Sequence, residues 1–285
     1  MHVAGGVYGE FCHFPAWNQT WGSGGRAAFS VSLLLPKVEL HTFARKSIDP
    51  VFEQTARANR ISLHVYPSKA DVRFEYWYPQ SPATVFYNPA QAQARTFSVN
   101  ADNVLRFGML EGNAVIHARN AVYDPQNDND PVSFFENGST AKRFALALNM
   151  AEAKAMSGLN DPVDAARYLA AHESADAVVI KCGPYGAYVV EGREKSWVPC
   201  YKTPDVWPLG SGDVFSAVFA AFWTEKHYSA ANAAKIASKA TASAQTHLLT
   251  AGFKTLSDGD SSGSAVRRLI CVRVGRRSRN PPFSA

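Results

Sequence analysis

Apolar positions along the chain fall into two periods. Short apolar or β-branched runs predict strands at 38–43 (VELHTF), 61–66 (ISLHVY), 72–78 (VRFEYWY), 84–87 (TVFY), 103–107 (NVLRF), 143–148 (RFALAL), 177–181 (AVVIK), 187–190 (AYVV) and 196–201 (SWVPCY). Segments of helical period lie between them at 25–35, 50–59, 150–157, 162–172, 213–226 and 229–247. Strand and helix in alternation predict an α/β fold, a mostly parallel central sheet with helices on both faces. Phe215, Val218, Phe219 and Phe222 repeat at helical spacing and are expected in the core. The stretch 64–100, rich in Pro, Tyr, Phe and Trp, interrupts the alternation. It is expected to be a small β insertion or lid, with an irregular surface loop as the other reading. Residues 256–264 (LSDGDSSGS) have linker composition, and no internal repeat is seen.

Composition is that of a globular chain, with 46% hydrophobic and 19% charged residues over 285 positions. No apolar run approaches the roughly 20 residues that span a bilayer. The start, MHVAGGVYGEF, has neither the basic nor the apolar part of a signal peptide. Cys12, Cys182, Cys200 and Cys271 form no C-x-x-C pair, so a reduced, cytoplasmic protein is expected. The net charge of +5 belongs to the end of the chain. From Leu248 to Ala285 there are seven Lys and Arg against two Asp, and 29 less seven and 24 less two leave 22 of each sign before it. A nucleic-acid role for the main body therefore loses its support. The basic tail is either a solvated extension or a polybasic contact to an acidic partner.

Four local patterns carry candidate chemistry, and each has an ordinary structural explanation. In PLGSGDVFSAVFAAFW (208–223) a glycine turn opens a helix, whose free N–H groups and dipole form an anion site. Asp213 there is either a general base or a cap and first-turn acid. Asn149 and Glu152 share a helix start, as ligands arranging hydrated Mg²⁺ or as a capping box. Lys181, Gly183 and Gly186 form a tight turn between strands, either admitting a nucleotide or closing a plain hairpin. Gly24 and Gly25 open another helix, and Glu10 follows a glycine-rich first strand, where turn chemistry is the alternative to ligand contact. Gly22–Ala27 fits the loose G-x-G-x-x-A pattern, but the preceding HFPAWNQTW is not expected to be the strand that pattern requires. The eight histidines show no metal-ligand spacing, and neither a Walker A nor a G-x-S-x-G motif occurs.

Their order along the chain resembles that of the ribokinase-like (PfkB-type) carbohydrate kinases. PLGSGDVFSAVFAAFW is similar to the family's C-terminal signature, LNMAEAKAMSG to its Asn-x-x-Glu segment and AVYDPQ (121–126) to the strand end upstream. VVIKCGPYGAYV resembles the nucleotide-side turn and GGRAAFSVSLL the substrate-side helix. The resemblance covers residues 1–247, with 64–100 as the β lid and 248–285 as linker and tail. It implies an ATP-dependent transfer of the γ-phosphoryl group to a hydroxyl of a sugar or sugar-containing molecule. Asp213 would be the base, and the N–H groups of Gly210, Ser211 and Gly212 the anion hole. Glu10, Gly24, Gly25 and Arg26 would hold the acceptor. Asn149, Glu152, Lys181, Gly183, Gly186 and Ser238 would serve the nucleotide, with Glu152 reaching Mg²⁺ through water. A monovalent cation is a further candidate cofactor, and a homodimer through the lid a candidate assembly. This sequence departs from the family pattern at Glu10 (usually Asp), Arg26 (a small residue or Lys), Phe29 and Ser238 (often Asn). Arg26 and Phe29 point to an anionic or aromatic acceptor, such as a phosphosugar or nucleoside. A vitamin-type kinase and a catalytically silent binding protein on the same fold are the alternatives.

Overall fold

The computed structural model describes residues 1–45, 47–88, 90, 95–203 and 208–254. In chain order its elements are β1 (His2–Ala4), β2 (Gly9–Cys12), β3 (Trp17–Thr20), α1 (Gly22–Ser32), β4 (Val38–Ala44), α2 (Pro50–Ala58), β5 (Ile61–Pro67), β6 (Arg73–Tyr76) and β7 (Thr84–Phe86). There follow β8 (Thr96–Phe107), β9 (Asn113–Asp124), β10 (Thr140–Asn149), α3 (Met150–Ser157), α4 (Pro162–His172), β11 (Ala177–Lys181), β12 (Ala187–Glu191), β13 (Glu194–Val198), α5 (Ser211–Ala220) and α6 (Ala230–Lys254). Nine strands form the main sheet in the order β13-β12-β11-β10-β9-β8-β1-β4-β5. All its pairings are parallel except those of β12 with β11 and β13. The expected α/β architecture is therefore present. The linker and most of the basic tail lie outside the described residues, and α6 runs to Lys254, past the expected domain end at 247.

Successive strand residues point to opposite faces, and both faces are apolar, as a covered parallel sheet requires. Leu105, Val122, Ala145 and Val179 pack with Phe52, Phe215, Phe219 and Trp223 beneath α1, α2, α5 and α6. Their neighbours Val104, Tyr123, Leu146 and Val178 pack the other way, under Ala153, Ala166 and Leu169 of α3 and α4.

Between α2 and α3 the second face is covered differently. Strands β8 and β9 pair in parallel from Thr96↔Asn113 to Phe107↔Asp124, although only residues 108–112 join them. A parallel connection ordinarily takes a dozen residues or more. Straight strands would set Phe107 and Asn113 about 36 Å apart at about 3.3 Å per residue, and six peptide steps reach only about 21 Å. The strands fold back instead, at the point where the ladders skip Asp102, Arg119 and Lys142. Arg106 Nη2 consequently donates to Asn113 Oδ1 at 2.9 Å, end against beginning. The folded-back legs carry Phe97, Val99, Ala114 and Ile116 into the second core, as a β layer beside the helices.

The small second sheet has the order β3-β2-β6-β7. Its composition corrects two expectations. The lid was expected over 64–100, but 61–67 is an edge strand of the main sheet and Thr96 already begins β8. Only Arg73–Phe86 of that stretch contributes, and the other half comes from Gly9–Thr20. HFPAWNQTW does contain a strand, β3, which enters the small sheet antiparallel to β2 rather than feeding a βαβ unit. Its four residues, WNQT, are all at least partly exposed, so no burial period marks them in the sequence.

Candidate active site

Strands β9, β10 and β11 end at one edge of the main sheet, in Asp124, Asn149 and Lys181, and the N-terminus of α5 meets them there. Gly210 is the N-cap of α5, with φ of 74°. A Cβ at that position would lie 2.4 Å from Arg26 Cδ, so the left-handed backbone and the close approach of Arg26 both require glycine. Asp213 is thus not the cap, and no side chain caps this helix. It lies buried in the first turn, with Oδ2 3.4 Å from Arg26 Nη1. Burial pushes its carboxyl up to about 6, with Arg26 opposing the rise and Asp124 adding to it.

Arg26 also pairs with the carboxylate of Glu10, whose other oxygen accepts the Gly22 N–H at 3.0 Å. Glu10 belongs to the small sheet and Asp213 to α5, so Arg26 ties the two together. Gly24 and Gly25 have packing reasons of their own. A Cβ on Gly24 would meet the Gly5 carbonyl at 2.5 Å, and one on Gly25 the Phe52 ring at 2.9 Å.

Beneath the first turn of α5 lies a second charged group. Lys181 Nζ donates to Asp124 Oδ2 at 2.6 Å, and Ser216 Oγ donates to the same oxygen at 2.6 Å. Gln126 Nε2 holds Oδ1 at 3.0 Å. A Cβ on Gly212 would be 3.6 Å from Lys181 Nζ, which places the ammonium at the helix start rather than out along the β11–β12 turn. Burial works against the Lys181 charge, but Asp124 and Glu152 outweigh it and raise the group. Asp124 was not selected from the sequence as a site residue. The available signal was its place before proline at a strand end, in AVYDPQ.

Asn149 and Glu152 form the capping box in full. Asn149 Oδ1 accepts from the Glu152 N–H at 2.9 Å, and Glu152 Oε2 accepts from the Asn149 N–H at 2.7 Å. Burial, with Asp124 adding to it and Lys181 opposing, pushes Glu152 up to about 7. Asn149 Nδ2 also donates to Asp128 Oδ1 at 2.7 Å. The box fixes the Glu152 carboxylate beside Asp124 and Lys181.

Other selected residues are engaged elsewhere. The Ser211 N–H and hydroxyl both donate to the Pro208 carbonyl, at 3.0 and 2.6 Å, which withdraws that N–H from an anion hole. The Ser238 hydroxyl donates to the Pro199 carbonyl at 2.8 Å. Gly183 (φ 55°) and Gly186 (φ 95°) close the antiparallel β11–β12 hairpin, and a Cβ on Gly186 would lie 2.0 Å from the Val198 carbonyl. Gly183 faces open space.

Between the small sheet and the main sheet lies a cleft of about 350 Å³, lined by Tyr8, Gly9, Thr20, Asp49, Arg73 and Glu111 among others. Tyr8 donates its hydroxyl to Glu111 Oε2 at 2.6 Å, while Glu111 Oε1 is buried without a hydrogen-bond partner. Burial pushes Glu111 up to about 7. Nothing in the local sequence GMLEGN marked this residue.

The fold of the chain is ribokinase-like. Residues 117–255 match the family model described as pfkB family carbohydrate kinase. Ribokinase from Thermotoga maritima is similar with a TM-score of 0.62 at 16% identity, over 94% of this chain and 97% of that one. Fructokinase from Vibrio cholerae O395, in a form with fructose, ADP and calcium ion bound, gives 0.63 at 14% over 86% and 92%. A pyrophosphate-dependent kinase in the ribokinase family, complexed with a pyrophosphate analog and myo-inositol, gives 0.58 at 18% over 86% and 95%. No curated protein sequence matches the chain. The chain has the ribokinase fold, its second half carries the pfkB sequence pattern, and the resemblance seen in its motifs is borne out. Among the described residues no helix is long and apolar enough to cross a membrane.

Proposed function

We propose that the protein is a cytoplasmic phosphotransferase that moves the γ-phosphoryl group of ATP to a hydroxyl of a sugar or sugar-containing small molecule. One observation carries the reading. Asp213 is a buried carboxylate with no capping role, held at a helix N-terminus beside the Arg26 and Lys181 charges. The acceptor occupies the cleft under the small sheet, which Glu111 and Arg73 help to line. Its reacting O–H gives its proton to the Asp213 carboxylate as the oxygen bonds to phosphorus and the bond to the leaving phosphate oxygen breaks. The N–H groups of Gly212 and Asp213, with the helix dipole, face the transferring group, and Lys181 adds charge from below.

Asp124, Asp128 and Glu152 supply carboxylate oxygens around Asn149, a hard donor set that fits hydrated Mg²⁺. When bound there, the ion neutralises phosphate charge on the donor. The Lys181–Gly186 turn, with Gly183 open to solvent space, flanks the nucleotide.

The test offers ATP or pyrophosphate, with Mg²⁺, to a panel of sugars, phosphosugars and nucleosides and detects the phosphorylated acceptor by mass spectrometry. A second reading, a silent ligand-binding protein, is favoured by the Arg26 contact on Asp213. Binding of nucleotide without turnover on any acceptor establishes that second reading instead. For an acceptor that is turned over, Glu111→Gln keeps the shape but offers an amide in place of the buried carboxyl. KM is expected to rise roughly 10-fold, the scale of about 1.4 kcal/mol for one misplaced polar contact, with kcat little changed. A kcat loss at unchanged KM would remove Glu111 from acceptor binding.

A further inference from the structure

Although the histidines look scattered along the chain, the main sheet gathers three of them. Parallel pairing sets His2 opposite Glu39 and His41 opposite His64, with Ala4 opposite His41. Glu39 and His41 are two apart on β4, so their side chains share one face of the sheet with those of His2 and His64.

We propose that His2, Glu39 and His41 form a binding site for a zinc-class divalent transition metal ion. His2 Nδ1 lies 3.0 Å from His41 Nε2 and 3.8 Å from Glu39 Oε2. One ligand atom from each of the three residues lies within 4.8 Å of the others. Metal–ligand bonds of about 2.1 Å in a tetrahedron put neighbouring ligand atoms about 3.4 Å apart, so small shifts admit the ion. The surrounding contacts are those of a ligand set. His41 Nδ1 is bonded to the Tyr66 hydroxyl at 3.1 Å, which leaves Nε2 directed at His2 and the ion position. His64 Nε2 bonds Glu39 Oε2 at 3.0 Å and orients the carboxylate, while its ring stacks on that of His41 with centroids 4.3 Å apart.

Lys37 Nζ, on an exposed side chain, pairs with Glu39 Oε1 at 2.8 Å and can leave as the ion takes over its charge. His2 and Glu39 are each partly exposed, which opens an entry path and a fourth position for water. Imidazole nitrogens with one carboxylate select zinc-like ions over Mg²⁺ or Ca²⁺, which take all-oxygen sets. The site is on the sheet face opposite α1 and α5, toward the N-terminal ends of the strands, and it shares no residue with the Asp213 centre.

The test uses the full chain freed of metal by a chelator, titrated with Zn²⁺ by calorimetry and with Co²⁺ by visible absorption. One ion per chain is expected, with the intense Co²⁺ bands of a tetrahedral site and a melting temperature that rises with Zn²⁺. His2→Asn and Glu39→Gln replace partly exposed ligands and spare the buried His41. Each is expected to weaken the ion by about tenfold or more and to lose the Co²⁺ bands, while Glu152→Gln at the opposite site keeps both. Melting curves of the apo variants show that they fold. Absence of Zn²⁺ binding in the parent overturns the proposal. So does less than a tenfold loss in either ligand variant, or a loss confined to Glu152→Gln.

Discussion

Replacing Asp213 with Asn is expected to lower kcat by about 10²–10⁴-fold, the usual contribution of a positioned general base, and to leave nucleotide affinity nearly unchanged. The amide keeps the shape of the side chain in its buried pocket beside Arg26 and removes only the ionisable carboxyl. A pH profile gives the independent readout. Asp213 must be ionised to act, and its carboxyl is pushed up to about 6 by burial. The kcat/KM of the parent is expected to fall as pH drops through about 6. Glu152, pushed up to about 7, contributes a second ionisation to the same limb. In Asp213→Asn the residual activity loses the Asp213 part of that limb.

Stability moves the opposite way. A carboxyl whose folded value is raised binds its proton more tightly in the folded state, so ionising it disfavours folding between about pH 4 and 6 and above. Asp213→Asn is therefore expected to melt no lower than the parent at pH 7, which separates a catalytic loss from an unfolding one. Unchanged kcat in this variant would eliminate Asp213 as the base.

The second large effect is on stability. Arg26→Met is expected to destabilise the fold by about 3–5 kcal/mol, the cost of leaving a buried ion pair without one partner. Two carboxylates, Glu10 and Asp213, then stay in a buried space without their guanidinium. The loss should be greatest at neutral pH and shrink as acid protonates Asp213, which thermal melts across pH 4 to 8 would show. A double variant, Arg26→Met with Glu10→Gln, is expected to recover part of the loss, since the two sites share one interaction. If Arg26→Met melts with the parent at pH 7, Arg26 is not the tie between the small sheet and α5.

Much of the scaffold was legible because burial leaves a period in the sequence. AVVIK and RFALAL lie in strands covered on both faces, and 150–157 and 162–172 match α3 and α4 to the residue. Two segments that no apolar run marks have a weak or broken burial pattern. β3 is partly exposed throughout, and the first half of β9, before the strand end in AVYDPQ, is interrupted by exposed Arg119 where it folds back. The expected lid is one contiguous stretch, but the small sheet joins residues about sixty apart in the chain through the β2–β6 pairing. Among the site residues, the glycine turn before Asp213 and the Asn149–Glu152 pair were visible because helix starts carry local signatures. Glu111 was not, since a lone acid in a connection gives no sign of burial until Tyr8 lies against it.

In PLGSGDVFSAVFAAFW the sequence alone determined that a glycine turn would open an apolar helix with an acid in its first turn. Those features follow from local backbone freedom and helical periodicity. It left open whether that acid caps the helix or serves another purpose. Tertiary structure excluded the cap by giving that place to Gly210, and it brought Arg26, nearly 190 residues earlier in the chain, against the Asp213 carboxylate. It likewise put Lys181 under the helix start on Asp124, and His2 beside His41 across parallel strands. Charge pairing and strand register act between residues that are distant in sequence, and neither leaves a period in the chain.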